Sequence, residues 1–227
     1  MSGIPWLTDA LQDVYRRLYD RYGPQGWWPS DGPFETIVGA ILTQNTAWTN
    51  ANWAVANLKA AGALSPQVMR AMPEPELARL IRPSGYFNAK ARKLKAMAVY
   101  LVDYGDDPTR WRHRDAKELR AELLGVHGIG QETADDIVLY ATGLPSFVID
   151  TYTRRVVARL GLAPDRDSYG AFQALFERHL PADAPLFNEY HALLDHHAKE
   201  TCLKTSPRCE GCCLLEVCST GKEVLGK

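Results

Sequence analysis

The chain has 227 residues, 46% of them hydrophobic and 23% charged, with a formal net charge of −1. That length admits one large domain or two modest ones, and the composition is that of a folded globular protein. No stretch approaches the roughly 20 unbroken apolar residues of a membrane span. The opening MSGIPWLTDALQDVYRR also lacks the basic start and apolar core of a secretory signal, so a cytoplasmic chain with no membrane partner is expected. Near-neutral charge leaves nucleic-acid binding open, because that needs a basic face and not a basic total.

In chain order, apolar residues recur at helical spacing over 8–22, 34–45, 48–61, 89–104, 116–125, 131–142, 151–160, 168–180 and 186–200. Ser65-Pro66 and Pro73-Glu74 read as starts of short helices with an early proline. Glycine and proline mark breaks at Gly23-Pro24, Gly32-Pro33, Pro83-Ser84-Gly85, Gly105 to Pro108, Gly143-Leu144-Pro145 and Pro181 to Pro185. Ser146 to Ile149 comes closest to a strand and is short. The expected fold class is all-α. Two basic groups, Lys90/Arg92/Lys93/Lys95 and Arg154/Arg155/Arg159, each read alone as solvated helix faces.

Residues 124–134 read Leu-Gly-Val-His-Gly-Ile-Gly-Gln-Glu-Thr-Ala. Glycines on both sides of an isoleucine permit a tight turn whose backbone amides no side chain covers. The following helix would open on those amides, where its dipole and unpaired donors favour an anion such as a DNA phosphate. A lone Gly-x-Gly is equally an ordinary helix–helix turn. The whole run fits the helix-hairpin-helix pattern L-x-G-V-x-G-I-G-x-x-T-A, which places Gly128, Gly130, Gln131 and Thr133 at a DNA backbone. Further on, Val148-Ile149-Asp150-Thr151-Tyr152 sets an aspartate between an apolar run and an amphipathic helix, where it reads by itself as a helix cap.

All five cysteines, Cys202, Cys209, Cys212, Cys213 and Cys218, lie in the C-terminal segment. In a cytosolic chain such crowding argues for metal or cluster ligation over disulfides. Four thiolates suit an iron–sulfur cluster or a tetrahedral zinc.

From Phe34 to Cys218 the chain resembles the endonuclease III-like superfamily of helix-hairpin-helix DNA glycosylases. Ile41-Leu42-Thr43-Gln44-Asn45-Thr46, Gly85-Tyr86-Phe87-Asn88-Ala89-Lys90-Ala91 and the cysteine spacing C-x6-C-x2-C-x5-C carry the likeness. The resemblance implies two helical domains with damaged double-stranded DNA in the cleft between them. One is a six-helix block of residues 34–144 containing the hairpin. The other joins 1–33 with 145–227 and carries a [4Fe-4S] cluster on Cys202, Cys209, Cys212 and Cys218, with Cys213 left over and Lys204 and Arg208 placed to reach phosphates. Asp150 becomes the carboxylate that faces the scissile sugar, and Gln44 the residue that fills the gap left by a flipped base. The chain is expected to act as a monomer.

Bifunctional members carry a strand-cleaving lysine where this chain has Glu132, and a carboxylate cannot form an imine. Trp27-Trp28-Pro29, Trp48 and the Gly130–Asp135 run resemble the 3-methyladenine-excising branch, which places Trp27, Trp28, Pro29, Trp48 and Glu132 at the base pocket. Indole faces suit a cationic alkylated purine through stacking and cation–π attraction. Trp53 and Trp111 read as core. The expected function is a monofunctional base-excision glycosylase. The alternatives are a glycosylase with residual lyase activity through a lysine such as Lys90, a non-catalytic DNA-damage-binding protein, and a zinc-stabilised helical adaptor.

Overall fold

A computed structural model describes residues 5–226, and every regular element among them is helical. In chain order these are α1 (Pro5–Tyr22), α2 (Pro33–Leu42), α3 (Trp48–Ala60), α4 (Pro66–Ala71), α5 (Glu74–Leu80) and α6 (Phe87–Tyr100). They are followed by α7 (Ala116–Leu124), α8 (Gln131–Asp136), α9 (Thr151–Leu160), α10 (Tyr169–His179), α11 (Ala184–Glu200) and α12 (Ser219–Val224). The chain forms two compact units: Trp28–Leu144, and the described residues up to Trp27 joined with those from Pro145 onward.

The Trp28–Leu144 unit is built around α2, in which every residue from Thr36 to Leu42 is buried. A helix apolar on all sides has to be enclosed by its neighbours, and α3, α6 and α8 pack on it. α3 turns Ala51, Ala54, Val55 and Leu58 inward, a spacing that leaves Trp53 on the opposite face, 60% exposed. The core assignment of Trp53 is therefore wrong, whereas Trp111 is fully buried. Trp111 sits on a 3₁₀ turn at Pro108–His113 that hydrophobic spacing does not reveal. Caps fix the helix starts: Ser65 accepts the Val68 amide at 3.2 Å ahead of α4, and Asp115 accepts the Lys117 and Glu118 amides at 2.9 and 3.0 Å ahead of α7. The expected helix over 131–142 begins as α8 and widens into a π turn at Ile137–Ala141. Arg120 on α7 grips the fully buried Asp135 of α8 through two bonds, Nε to Oδ1 at 2.7 Å and Nη2 to Oδ2 at 2.9 Å.

In the other unit α1 packs on α10 and α11, and α9 on α11 and α12. Phe147 stacks on Phe176 with ring centroids 3.8 Å apart, and Phe187 and Tyr190 meet it edge-on. Each such ring contributes roughly 1.5–3 kcal/mol by leaving water. The Tyr190 hydroxyl, buried among them, donates to the Leu11 carbonyl at 2.8 Å. Residues 146–149 are buried and lie outside any regular element. Side chains of α10 and its first turn answer their polar groups instead. Glu177 accepts the Phe147 amide at 3.0 Å, Tyr169 Oη accepts the Ile149 amide at 3.2 Å, and Gln173 donates to the Phe147 carbonyl at 3.0 Å. Buried backbone needs such partners wherever it comes from, and this arrangement delivers Asp150 to the start of α9.

Replacing Arg120 with leucine takes the guanidinium away from the buried Asp135 carboxylate and is expected to cost about 3–5 kcal/mol. The check is the midpoint of chemical unfolding, with Arg120→Lys falling between the wild type and Arg120→Leu.

Candidate active site

Asp150 precedes α9, and its Oδ1 accepts the Thr153 amide at 2.6 Å. The carboxylate therefore caps its helix, at the end where the dipole stabilises negative charge. Its side chain is 14% exposed, and its Oδ2 lies 3.9 Å from His191 Nε2 on α11.

The hairpin runs from α7 through Gly125–Gly130 into α8. Gly128 has φ +82°, and a Cβ there would meet Lys93 Cγ at 2.3 Å. Glycine is required both for the turn and for the lysine stem that crosses it. Gly130 stands at the N-cap of α8 with no side chain to answer the first amides, and Gly130, Gln131 and Glu132 are exposed. Thr133 is buried. Gln44 follows α2, and its Nε2 donates to the Gly128 carbonyl at 3.2 Å and to Thr133 Oγ1 at 2.9 Å, while its Oε1 accepts from Lys93 Nζ. The amide is thus locked onto the hairpin. Beside it, exposed Asn45 has φ +52°, a left-handed conformation that marks a tight turn.

Trp28 meets Trp48 edge-on at 4.6 Å and Tyr140 at 5.2 Å. Gly39 makes room for it, since a Cβ there would come within 3.1 Å of the Trp28 ring. Tyr140 rides on the π turn, whose other residues are all buried while Tyr140 is half-exposed. Such turns recur at functional sites. Pro29 is exposed beside Trp28, and half-buried Trp27 ends the other unit.

Cys202, Cys209, Cys212 and Cys218 line one cavity together with Val156, Leu160 and Leu214. The Leu214 amide donates to Cys212 Sγ at 3.4 Å and the Gly221 amide to Cys218 Sγ at 3.3 Å. Arg159 Nη1 donates to Cys202 Sγ at 3.2 Å. Contact with Cys213 and then burial push the Cys212 thiol up to about 12, so ligation there would displace a proton. Cys213 does not line this cavity; it faces Arg16, Arg17, Asp20 and Arg21. Among the described residues no three His, Cys, Asp or Glu side chains converge tightly enough for a single metal ion.

The helix-hairpin-helix DNA-repair model HhH-GPD, described as a superfamily of base excision DNA repair proteins, matches residues 38–182. The chain belongs to the HhH-GPD superfamily of base excision DNA repair proteins. A Methanocaldococcus jannaschii protein named as a DNA repair glycosylase is 41% identical over 92% of this chain and 96% of its own length. Endonuclease III of Sulfolobus acidocaldarius is 30% identical over 82% of this chain and 81% of its own. An endonuclease III solved in a non-covalent DNA complex superposes with a TM-score of 0.82 at 24% identity, covering 97% of this chain and 99% of that one.

In this HhH-GPD protein the two basic groups turn out to serve the fold. Lys95 Nζ ties the end of α4 through the carbonyls of Met69, Arg70 and Met72, and Arg92 pairs with Glu74 at 3.5 Å. Arg154 pairs with Asp167, and Arg155 and Arg159 hold carbonyls of Ala198 and Cys202 to Lys204. Neither group is a free cationic face. Lys204 and Arg208 are exposed, although Arg208 Nη1 also donates to the Glu200 carbonyl at 3.2 Å. Tyr140 and His191 lie at these sites without having been singled out from the sequence, whereas Arg159 reads there only as part of a solvated helix face and instead reaches Cys202 Sγ. No helix among the described residues is long and apolar enough to cross a membrane.

Lys90 does not serve as a free amine. It is 1% exposed, and its Nζ donates to the Leu42 carbonyl at 2.8 Å and the Ser84 carbonyl at 2.7 Å. Burial, helped by nearby Lys93, holds it down at about 8. A lysine depressed in the folded state sheds its proton first there, so its contribution to stability is complete above the unfolded value and is lost as pH falls through about 8. The wild type is therefore expected to gain on Lys90→Met between pH 8 and about 10.5. Urea midpoints of both proteins across that range check it, and a constant difference would refute the assignment.

Proposed function

We propose that this HhH-GPD protein is a monofunctional DNA glycosylase, with alkylated purines such as 3-methyladenine as its substrates. The observation that carries the reading is the Asp150 carboxylate, ordered by the Thr153 amide at 2.6 Å and still 14% exposed. Breaking the glycosidic bond sends its electrons out with the base and leaves positive charge on the sugar. Asp150 stabilises that charge and takes a proton from the water that attacks the same carbon. An alkylated purine begins cationic and departs neutral, so no strong general acid is required.

The target carbon is unreachable within a stacked duplex, so the base has to leave the helix. In this reading the exposed amides at Gly130 and Gln131, with the hairpin around Gly128 and Thr133, hold phosphate without reading sequence, and Lys204 and Arg208 add contacts. Gln44 enters the vacated gap after giving up its bonds to the hairpin. Trp27, Trp28, Pro29, Trp48 and Glu132 receive the base, with Tyr140 supporting Trp28. Glu132 cannot form an imine and Lys90 is engaged inside its unit, which together favour hydrolysis without strand cleavage.

The cysteine set fits a [4Fe-4S] cluster held by Cys202, Cys209, Cys212 and Cys218. Amide and guanidinium donors to the sulfurs are the contacts that stabilise such a group. A bound cluster supplies a covalent tie across residues 202–218.

Purified with its iron, the wild type is expected to release methylated purines from alkylated duplex DNA, with strands breaking only after alkali and no borohydride-trapped adduct. Asp150→Asn should slow release by roughly 100-fold or more while duplex binding is kept. Release at the wild-type rate by that variant would sink the assignment. Separately, Cys209→Ser should lose iron and the absorbance near ~400 nm expected of thiolate-ligated iron.

A further inference from the structure

Two histidines of α11 are buried, His191 and His197. His197 has evident work: its Nδ1 lies 2.9 Å from the Tyr22 hydroxyl, and its ring lines the cysteine cavity. His191 lies against Asp150 instead, with its Nε2 3.9 Å from Oδ2. Both side chains are largely enclosed, 7% and 14% exposed respectively. Asp150 Oδ1 is already committed to the Thr153 amide, so the oxygen left for chemistry is the one that faces the imidazole. The separation is short for an intervening water, which at a near-tetrahedral angle spans roughly 4.5 Å between the atoms it bridges, and a movement of about 1 Å makes it a hydrogen bond. Hydrogen bonds in catalytic sites are commonly long before substrate arrives.

We propose that His191 is a positioning residue for Asp150, its Nε2–H engaging Oδ2 as the sugar gains charge. The inference rests on Asp150 being the catalytic carboxylate. A donor from α9 on one oxygen and a donor from α11 on the other fix the plane of the carboxylate before the substrate binds, which lowers the reorganisation left for the reaction. The imidazole transfers no proton in this role. The second lone pair of Oδ2 remains for the attacking water.

The test compares His191→Gln, whose amide nitrogen reaches the place of Nε2, with His191→Leu, which has no donor. Both are made in the full-length, iron-loaded protein and followed by single-turnover base release, duplex affinity and thermal midpoint. His191→Leu is expected to cut more slowly by roughly 10- to 100-fold at unchanged duplex affinity, and His191→Gln to recover most of that loss. Wild-type rates in both variants, or equal losses in both with a matching fall in thermal midpoint, would overturn the proposal. The Asp150→Asn control separates the two assignments: if it alone stops release, the role of Asp150 survives and that of His191 does not. Should the wild type release no alkylated base, the thermal midpoints of Asp150→Asn, His191→Leu and the double variant still decide. Non-additive shifts support the contact, and additive shifts remove it.

Discussion

A buried stretch of backbone outside any regular element governs where Asp150 sits. Residues 146–149 are enclosed in their unit, and their amides and carbonyls would each carry a desolvation penalty if left unanswered. Gln173 and Glu177 on one face of α10, with Tyr169 at its start, supply the missing partners, while Phe147 seals the layer by stacking on Phe176. Because that run is fixed, Asp150 arrives at the first turn of α9 in one place, and the Thr153 amide then fixes its carboxylate. The orientation of the functional group is inherited from the packing of α10.

A second constraint is the internal use of positive charge. Lys90, Lys93 and Lys95 turn their amines onto the Leu42 and Ser84 carbonyls, Gln44, and the end of α4 respectively. Arg155 and Arg159 turn theirs onto the loop that carries the cysteines. A chain with a net charge of −1 thus directs these cations inward to its own carbonyls and side chains. The N-terminus of α8, opened by Gly130, is exposed, and backbone donors of that kind discriminate little between sequences.

The lock between Gln44, Lys93 and the hairpin joins two segments far apart in the chain. The Gly128 carbonyl and the Thr133 hydroxyl both accept from one amide, so the loop after α2 and the hairpin turn are held as one piece. Asn45 in a left-handed conformation stores a small backbone cost next to that lock. The combination is a loop held under light strain by bonds that can be exchanged.

Sequence by itself determined the helical class, most helix boundaries, the hairpin and the family. Each rests on short-range rules: apolar spacing, caps such as Ser65 and Asp115, and glycines where φ turns positive. It also marked the four cysteines, because their spacing lies within one short segment. It placed Trp53 wrongly, since a tryptophan's chemistry favours burial and only the side of α3 that packs decides its fate. Tyr140 was invisible within an apolar run, because a π turn exposes one residue through its hydrogen-bond register and not through its composition. His191 reaches Asp150 only when α11 packs on α9, and Lys90 finds its carbonyl partners only on two other segments. Those outcomes depend on contacts between residues distant in the chain, which no local pattern encodes.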